Sequence, residues 1–339
     1  MFNNKNILVT GGTGSFGKYF IKKILKSYTP KRLIVYSRDE LKQFDFQNEL
    51  NYSVPKIKYS KMRFFIGDVR DLSRLELAFQ NVDIVVHAAA LKQVMSSEYN
   101  PIECIKTNII GAQNIISASL TRKVKKIIAL STDKAASPVN LYGATKLVSD
   151  KLFTASNSSY AGGHKTRFSV ARYGNVIGSR GSVIPFFMSM KNHKELPITD
   201  PRMTRFMISV EQGVKLVWRI FQDMMGGEIY IKKIPSMKVT DIAKVIAPKA
   251  EHKIIGIRPG EKLHEEMISR DDIHSTYEYS DYFKILPQIN DWQNDNLRIK
   301  NGKRLPEGFT YSSDKNNEWM TKSDLRKWLI TNKDFIGKI

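Results

Sequence analysis

Short apolar runs recur along the first half of the chain, at residues 6–10, 32–37, 63–68, 83–89, 126–132 and 168–173. Each reads as a strand, and the run 126–132 as a buried one. Helical spacing of apolar positions fills the gaps at 16–26, 71–79 and 101–120, and Asn140 begins a further helix. This alternation predicts an α/β fold built on a doubly wound parallel sheet. The pattern breaks after Gly174, where the Gly/Ser-rich stretch 178–182 leads into a short helix, loops and two later strands at 228–231 and 253–257. The expectation is a nucleotide-binding domain over 1–174 and a smaller lobe and tail over 175–339, with part of the later chain crossing back to the sheet. The tail from Asp271 has no clear periodicity, and no internal repeat or low-complexity tract is present.

Composition narrows the classes. With 339 residues and 42% hydrophobic content the chain can bury a large core. The single cysteine, Cys104, excludes an internal disulfide and fits a reducing compartment. The first residues lack a signal-peptide core, and no run is long and apolar enough for a bilayer, so a soluble cytoplasmic protein is expected. A net charge of +21 invites nucleic-acid or membrane-surface binding. The lysines are dispersed, however, without a basic tail or arm, and no nucleic-acid or membrane partner is expected. Attraction of an anionic substrate and cofactor is one use of the charge; a Lys/Asn/Ile-rich composition is the simpler explanation.

Gly11-Gly12-Thr13-Gly14-Ser15-Phe16-Gly17 lies between the first strand and the first helix. In that context glycines let the backbone approach a pyrophosphate, whose charge the helix N-terminus favours. The second strand ends in Ser37-Arg38-Asp39-Glu40-Leu41-Lys42. An acidic residue at this point normally holds the ribose 2′-hydroxyl of NAD. Here Ser37 and Arg38 come first and Lys42 follows a turn later, which suits the 2′-phosphate of NADP. In the competing reading, Arg38 caps an exposed helix start and Asp39 holds the ribose.

The fifth strand delivers Ser131-Thr132-Asp133-Lys134, and Tyr142 and Lys146 share one face of the helix that follows. A lysine cation beside a tyrosine lowers the phenol pKa, so that the phenolate can take a hydroxyl proton while a nicotinamide takes hydride. An added acid and base at Asp133 and Lys134 point to elimination as well as oxidation. No metal site is expected.

Thr10 to Gly17, Tyr36 to Lys42, Phe65 to Asp71, His87 to Lys92, Ser131 to Ala135 and Asn140 to Lys146 stand in that order, followed by Arg172 to Ser182, Met203 to Phe206 and Ile257 to Glu265. Together they resemble the inverting (5-epimerizing) UDP-N-acetylglucosamine 4,6-dehydratases of the extended short-chain dehydrogenase/reductase superfamily, which begin pseudaminic acid synthesis. The likeness runs from the first strand to about Trp319, and Asp-Lys in place of the Asp-Glu of retaining dehydratases is its most specific mark. It implies an NADP site at Thr13, Gly14, Ser15, Phe16, Gly17, Ser37, Arg38, Asp39, Glu40, Leu41, Lys42, Asp68, Val69, Ala88, Lys92, Tyr142 and Lys146. It implies UDP-sugar contacts at Lys92, Asn175, Arg180, Val183, Thr199, Arg258 and Glu261. Plainer roles compete for some: Asp68 as a helix cap, Arg180 and Arg258 as surface ion pairs.

The resemblance implies three steps. Tyr142, helped by Lys146 and Thr132, takes the proton of the sugar 4-hydroxyl as hydride leaves C4. Lys134 removes the C5 proton, and water leaves C6 with help from Asp133 or from the protonated Lys134. Hydride returns to C6 and a proton to the opposite face of C5. Lys134 must be neutral for this, so burial and nearby cations are expected to lower its pKa. An ion pair with Asp133 competes, though adjacent residues on a strand end point apart. Two departures touch substrate detail: Gln93-Val94-Met95-Ser96-Ser97-Glu98 replaces the usual loop, and Met207 stands where the family often has tryptophan. A UDP-sugar 4-epimerase, a retaining dehydratase and a silent NADP-sensing or nucleic-acid-binding relative are the alternatives. Helices around 101–120 and 140–156 commonly form dimer faces in the superfamily, so a homo-oligomer, dimer or hexamer, is expected.

Overall fold

A computed structural model describes residues 1–158, 163–179 and 181–332. Six parallel strands form its centre: β1 (Asn6–Thr10), β2 (Arg32–Ser37), β3 (Met62–Ile66), β4 (Ile84–His87), β5 (Lys126–Thr132) and β6 (Arg167–Tyr173). Every residue of β1 and of β4 is buried, which requires cover on both sheet faces. The order is β3-β2-β1-β4-β5-β6, so the winding reverses between β1 and β4. A crevice opens at that point beyond the carboxyl ends of the strands. The doubly wound parallel sheet expected from the sequence is the observed architecture.

The helix Ser15–Ser27 lies against this sheet by burying Phe20, Ile21, Ile24 and Leu25, one apolar stripe. The stretch expected as one helix over 101–120 is interrupted. Pro101–Ile105 runs into a π-helical turn, Lys106–Ile110, before Gly111–Thr121. The wider turn sets Asn108 against the segment that carries Lys92, where its amide accepts from the Leu91 N–H and donates to the Leu91 carbonyl, both at 2.9 Å.

Beyond Gly174 the chain returns to the main sheet. Ile229–Lys232 runs parallel to β6, and Tyr282–Ile285, Thr276–Glu278 and Lys303–Arg304 add antiparallel strands outside it. A second apolar cluster, with Ile184, Phe187, Ile198, Met237 and Ile242 among its members, packs beside a small sheet of Asn175–Val176, Thr204–Ile208 and Ser236–Lys238. No helix among the described residues is long and apolar enough to cross a membrane.

Candidate active site

The glycine turn is built by close approach. Gly11 has φ +62°, and a Cβ there would lie 2.8 Å from the Ala88 carbonyl carbon at the end of β4. A Cβ on Gly17 would lie 2.6 Å from Gly12 Cα, so this glycine lets the helix pack onto the turn. Gly14 is the N-cap of the helix Ser15–Ser27 and brings no side chain to it. The first-turn amides, with the positive end of the helix dipole, therefore face the crevice.

At the end of β2, Ser37 Oγ accepts from Gln43 Nε2 at 3.1 Å. Asp39 caps the helix Glu40–Ser53 by accepting from Lys42 N at 2.9 Å, and its carboxylate also pairs with the Lys42 ammonium. It is Asp39, not Arg38, that caps this helix. Arg38 lies 3.5 Å from Asp68, with half of its side chain exposed. Asp68 is not a helix cap either: Asp71 does that work by accepting from Arg74 N at 2.9 Å, while Asp68 binds Arg70.

The second half of the site sits at the end of β5. Residues Asp133–Ala135 form a 3-10 turn, and Thr132, its N-cap, accepts from Lys134 N at 3.3 Å. Asn140 caps the helix Leu141–Ala155 by accepting from Gly143 N at 2.7 Å, which sets Tyr142 and Lys146 on one face. Gly143 permits the contact between the two elements, since a Cβ there would lie 2.3 Å from the Lys134 carbonyl oxygen. Thr132 lines the cavity beside Tyr142. It also donates to Asp133 Oδ1 at 2.9 Å.

Lys134 differs from its expectation. Its ammonium lies 3.0 Å from Asp133 Oδ1, 3.1 Å from Glu265 Oε1 and 3.4 Å from Asn175 Oδ1. Burial pulls its pKa down, but the Asp133 and Glu265 carboxylates outweigh it and hold the lysine above its ordinary value. The ion pair forms because the strand ends at Thr132. In a 3-10 turn, neighbouring side chains are not forced to opposite faces as they are in a strand. Burial raises the Asp133 carboxyl, against the pull of Lys134. The lowered phenol pKa expected of Tyr142 is not found: burial pushes it up to about 12, outweighing the pull of Lys134. Burial lowers Lys146, with Asp150 opposing it.

One cavity of about 990 Å³ joins the two halves. Its walls include Thr13, Gly14, Ser15, Phe16, Gly17, Ser37, Arg38, Asp39, Lys42, Val69, Ala88 and Lys92. They also include Thr132, Lys134, Tyr142, Lys146, Asn175, Val183, Thr199, Arg258 and Glu261. Glu40, Leu41 and Asp68 do not line it: the first two sit in the exposed first turn of their helix, and Asp68 turns to its arginines. Asp133 is buried behind Lys134. Arg258 lies 3.4 Å from Glu261 within the wall. Arg180 lies outside the described residues.

The family described as polysaccharide biosynthesis protein matches residues 7–287. The chain belongs to this family. The UDP-N-acetylglucosamine 4,6-dehydratase (inverting) of Campylobacter jejuni subsp. jejuni serotype O:23/36 (strain 81-176) is 58% identical, over 96% of this chain and 97% of its own length. The UDP-glucose 4-epimerase of Rickettsia akari (strain Hartford) is 39% identical over 98% of this chain and 97% of its own. The X-ray structure of Pen from Bacillus thuringiensis superposes with a TM-score of 0.87 at 36% identity, covering 98% of this chain and 99% of that one.

Sequence reasoning missed charged groups in the cavity wall, among them Arg205 and Glu265, with Lys262 beside them. Glu265 is almost fully buried and lies 3.6 Å from Arg205 Nε as well as beside Lys134. Both stand in segments that carried the family resemblance, 203–206 and 257–265, and that was the available signal.

Proposed function

We propose that the chain is an inverting UDP-N-acetylglucosamine 4,6-dehydratase, a hydro-lyase, with NADP as its resident cofactor. One observation carries this reading: Lys134, paired with Asp133, meets Tyr142 in the cavity that also contains the glycine turn. An epimerase needs acid–base chemistry at O4 alone, whereas elimination across C5 and C6 needs a further base and acid, and this pair supplies both. The 58% identity to an inverting dehydratase supports the same assignment.

The residues present fit a dinucleotide. The Gly11–Ala88 approach makes a cradle that a Cβ would fill, and the bare N-cap at Gly14 suits a pyrophosphate. Residues 1–174 hold the cofactor in this reading, and 175–339 supply most contacts to the UDP-sugar. Asn175, Val183, Thr199, Arg258 and Glu261 hold that substrate, with Lys92 reaching both ligands. A nicotinamide held there would supply hydride transfer, out of the sugar C4 and back at C6. Tyr142, with Thr132 and Lys146, takes the O4 proton. Lys134 removes the C5 proton and protonates the departing C6 oxygen, is reprotonated by the Asp133 carboxyl buried behind it, and returns that proton to the other face of C5.

Mass analysis after incubation with UDP-N-acetylglucosamine tests this reading. The expected product has lost one water. The Rickettsia relative favours a second reading, a 4-epimerase, which would yield a C4 epimer of unchanged mass.

Cofactor choice is tested at Arg38. With Asp39 committed to its helix cap and to Lys42, Arg38 is the group placed to meet a 2′-phosphate. Arg38→Ala is expected to weaken NADP binding roughly tenfold or more while changing NAD binding little, because a charge-assisted hydrogen bond contributes about 1.5–3 kcal/mol. Titration of both dinucleotides reads this out, and equal losses would remove the 2′-phosphate assignment.

A further inference from the structure

Glu265 is an unusual neighbour for a catalytic lysine. It reaches the site from a distant part of the chain, in the segment that follows Gly260. Its backbone is fixed by Ser313, whose Oγ accepts from Glu265 N at 2.9 Å and whose N–H donates to the Glu265 carbonyl at 2.8 Å. Only 2% of its side chain is exposed, and Oε1 lies 3.1 Å from Lys134 Nζ. Oε2 is buried with no hydrogen-bond partner among the described residues, although the residue lines the cavity. A carboxylate buried this deeply, half satisfied and aimed at a reacting group is expensive to keep for packing alone.

We propose that Glu265 is a positioning residue for the elimination: it clamps the Lys134 ammonium opposite Asp133 and sets the pH at which that lysine exchanges protons. The proposal rests on the dehydratase reading above. The groups facing Lys134 are Asp133 on its own turn, Glu265 and Lys262 on the later segment, Arg205 on the strand Thr204–Ile208, and Tyr142 and Lys146 on the helix Leu141–Ala155.

The clamp defines a closed proton circuit. Lys134 starts as an ammonium and passes a proton across 3.0 Å to Asp133 Oδ1, leaving an amine and a carboxylic acid with the pair's total charge unchanged. The amine takes the C5 proton, and the C5–H electron pair forms the C5–C6 double bond. The C6–O bond breaks, its electrons leave with oxygen, and the Lys134 ammonium, which lines the cavity, gives the proton that completes water while the Asp133 carboxyl behind it replaces that proton. Lys134 ends as ammonium and Asp133 as carboxylate. The elimination needs no outside acid or base, and the proton that Lys134 then gives to C5 is replaced by the one Tyr142 took from O4. Glu265 keeps its charge throughout and favours the ammonium form of Lys134.

The sign of its effect follows. Removing the Glu265 charge makes Lys134 easier to deprotonate, and it also removes a like charge that raises Asp133. Both ionisations move to lower pH. The readout is exchange of the C5 hydrogen of the 4-keto-6-deoxy product into deuterium oxide, catalysed by the cofactor-loaded full chain. This exchange needs only Lys134 chemistry, with neither O4 proton transfer nor net oxidation. For Glu265→Gln the rate–pH profile is expected to slide to lower pH by about one unit or more. Glu265→Asp, which keeps the charge, is expected to hold the parent profile at a reduced rate. Reduced-nicotinamide absorbance on mixing with UDP-N-acetylglucosamine should persist in both variants, which shows that each is folded and binds its ligands. A Glu265→Gln profile that superposes on the parent's, or a rate loss at unchanged profile in both variants, overturns the proposal. Failure of the parent chain to make the dehydrated product overturns the dehydratase reading instead.

Discussion

Lys134→Met is expected to slow water loss from UDP-N-acetylglucosamine by roughly 10²–10⁴-fold, the usual worth of a positioned acid–base group. Oxidation at C4 should survive, because Tyr142, Thr132 and Lys146 are untouched. The signature is reduced-nicotinamide absorbance without dehydrated product. The structure adds a cost in stability. Lys134 is the cation between the buried Asp133 and Glu265, so methionine leaves both carboxylates short of a partner. Such loss is worth about 1–3 kcal/mol, moderated here because Asp133, already raised by burial, can take up a proton. Lys134→Arg separates the two effects. Arginine keeps the positive charge and stays protonated, so stability should return while elimination stays lost. Near-normal turnover by either folded variant would remove Lys134 from the chemistry.

Tyr142→Phe is expected to fail one step earlier. The phenol is buried and lines the cavity with Lys146, so its oxygen, once ionised, is the group placed to take the O4 proton. Without it, neither reduced-nicotinamide absorbance nor dehydrated product should accumulate, with a loss of about 10²–10⁴-fold. Phenylalanine fills the same space, so the fold should persist, as circular dichroism and the melting temperature would show. C5 exchange of the preformed 4-keto-6-deoxy product should continue, since that reaction uses Lys134. The two variants thus have opposite phenotypes: one oxidises without eliminating, and the other exchanges without oxidising. Loss of both activities in both variants would mean that the residues do not divide the reaction as described.

The parallel half of the sheet was legible because its central strands are nearly uninterrupted apolar runs, covered on both faces, and the edge strand β3 is partly exposed. The antiparallel edge was not. Tyr282–Ile285 is buried throughout, yet it carries Lys284, which pairs with Asp223 at 2.9 Å. Its neighbour Tyr279 stacks on Tyr282 at 4.4 Å. A buried lysine and exchanged aromatics erase the alternation by which a strand is read. The π-helical turn at Lys106–Ile110 was likewise invisible, since its composition fits an ordinary helix.

In the site, Tyr142, Lys146, Asp133 and Lys134 stood out because close spacing on one strand end and one helix brings them together. Glu265 and Arg205 did not, because they reach Lys134 only through tertiary structure and a charged residue in a loop reads as solvated. The charge assignment of Lys134 failed first at Asp133, whose carboxylate the 3-10 turn sets against the lysine, and then at Glu265, which adds to it; together they outweigh burial.

The measurement that bears most directly on the account is the stereochemistry of the product formed from UDP-N-acetylglucosamine in deuterium oxide, read by NMR. The account predicts a 4-keto-6-deoxy sugar of L-arabino configuration, with solvent deuterium at C5 and the original C4 hydrogen at C6 without exchange. A D-xylo product would contradict inversion, and a C4 epimer with its 6-hydroxyl intact would contradict elimination itself.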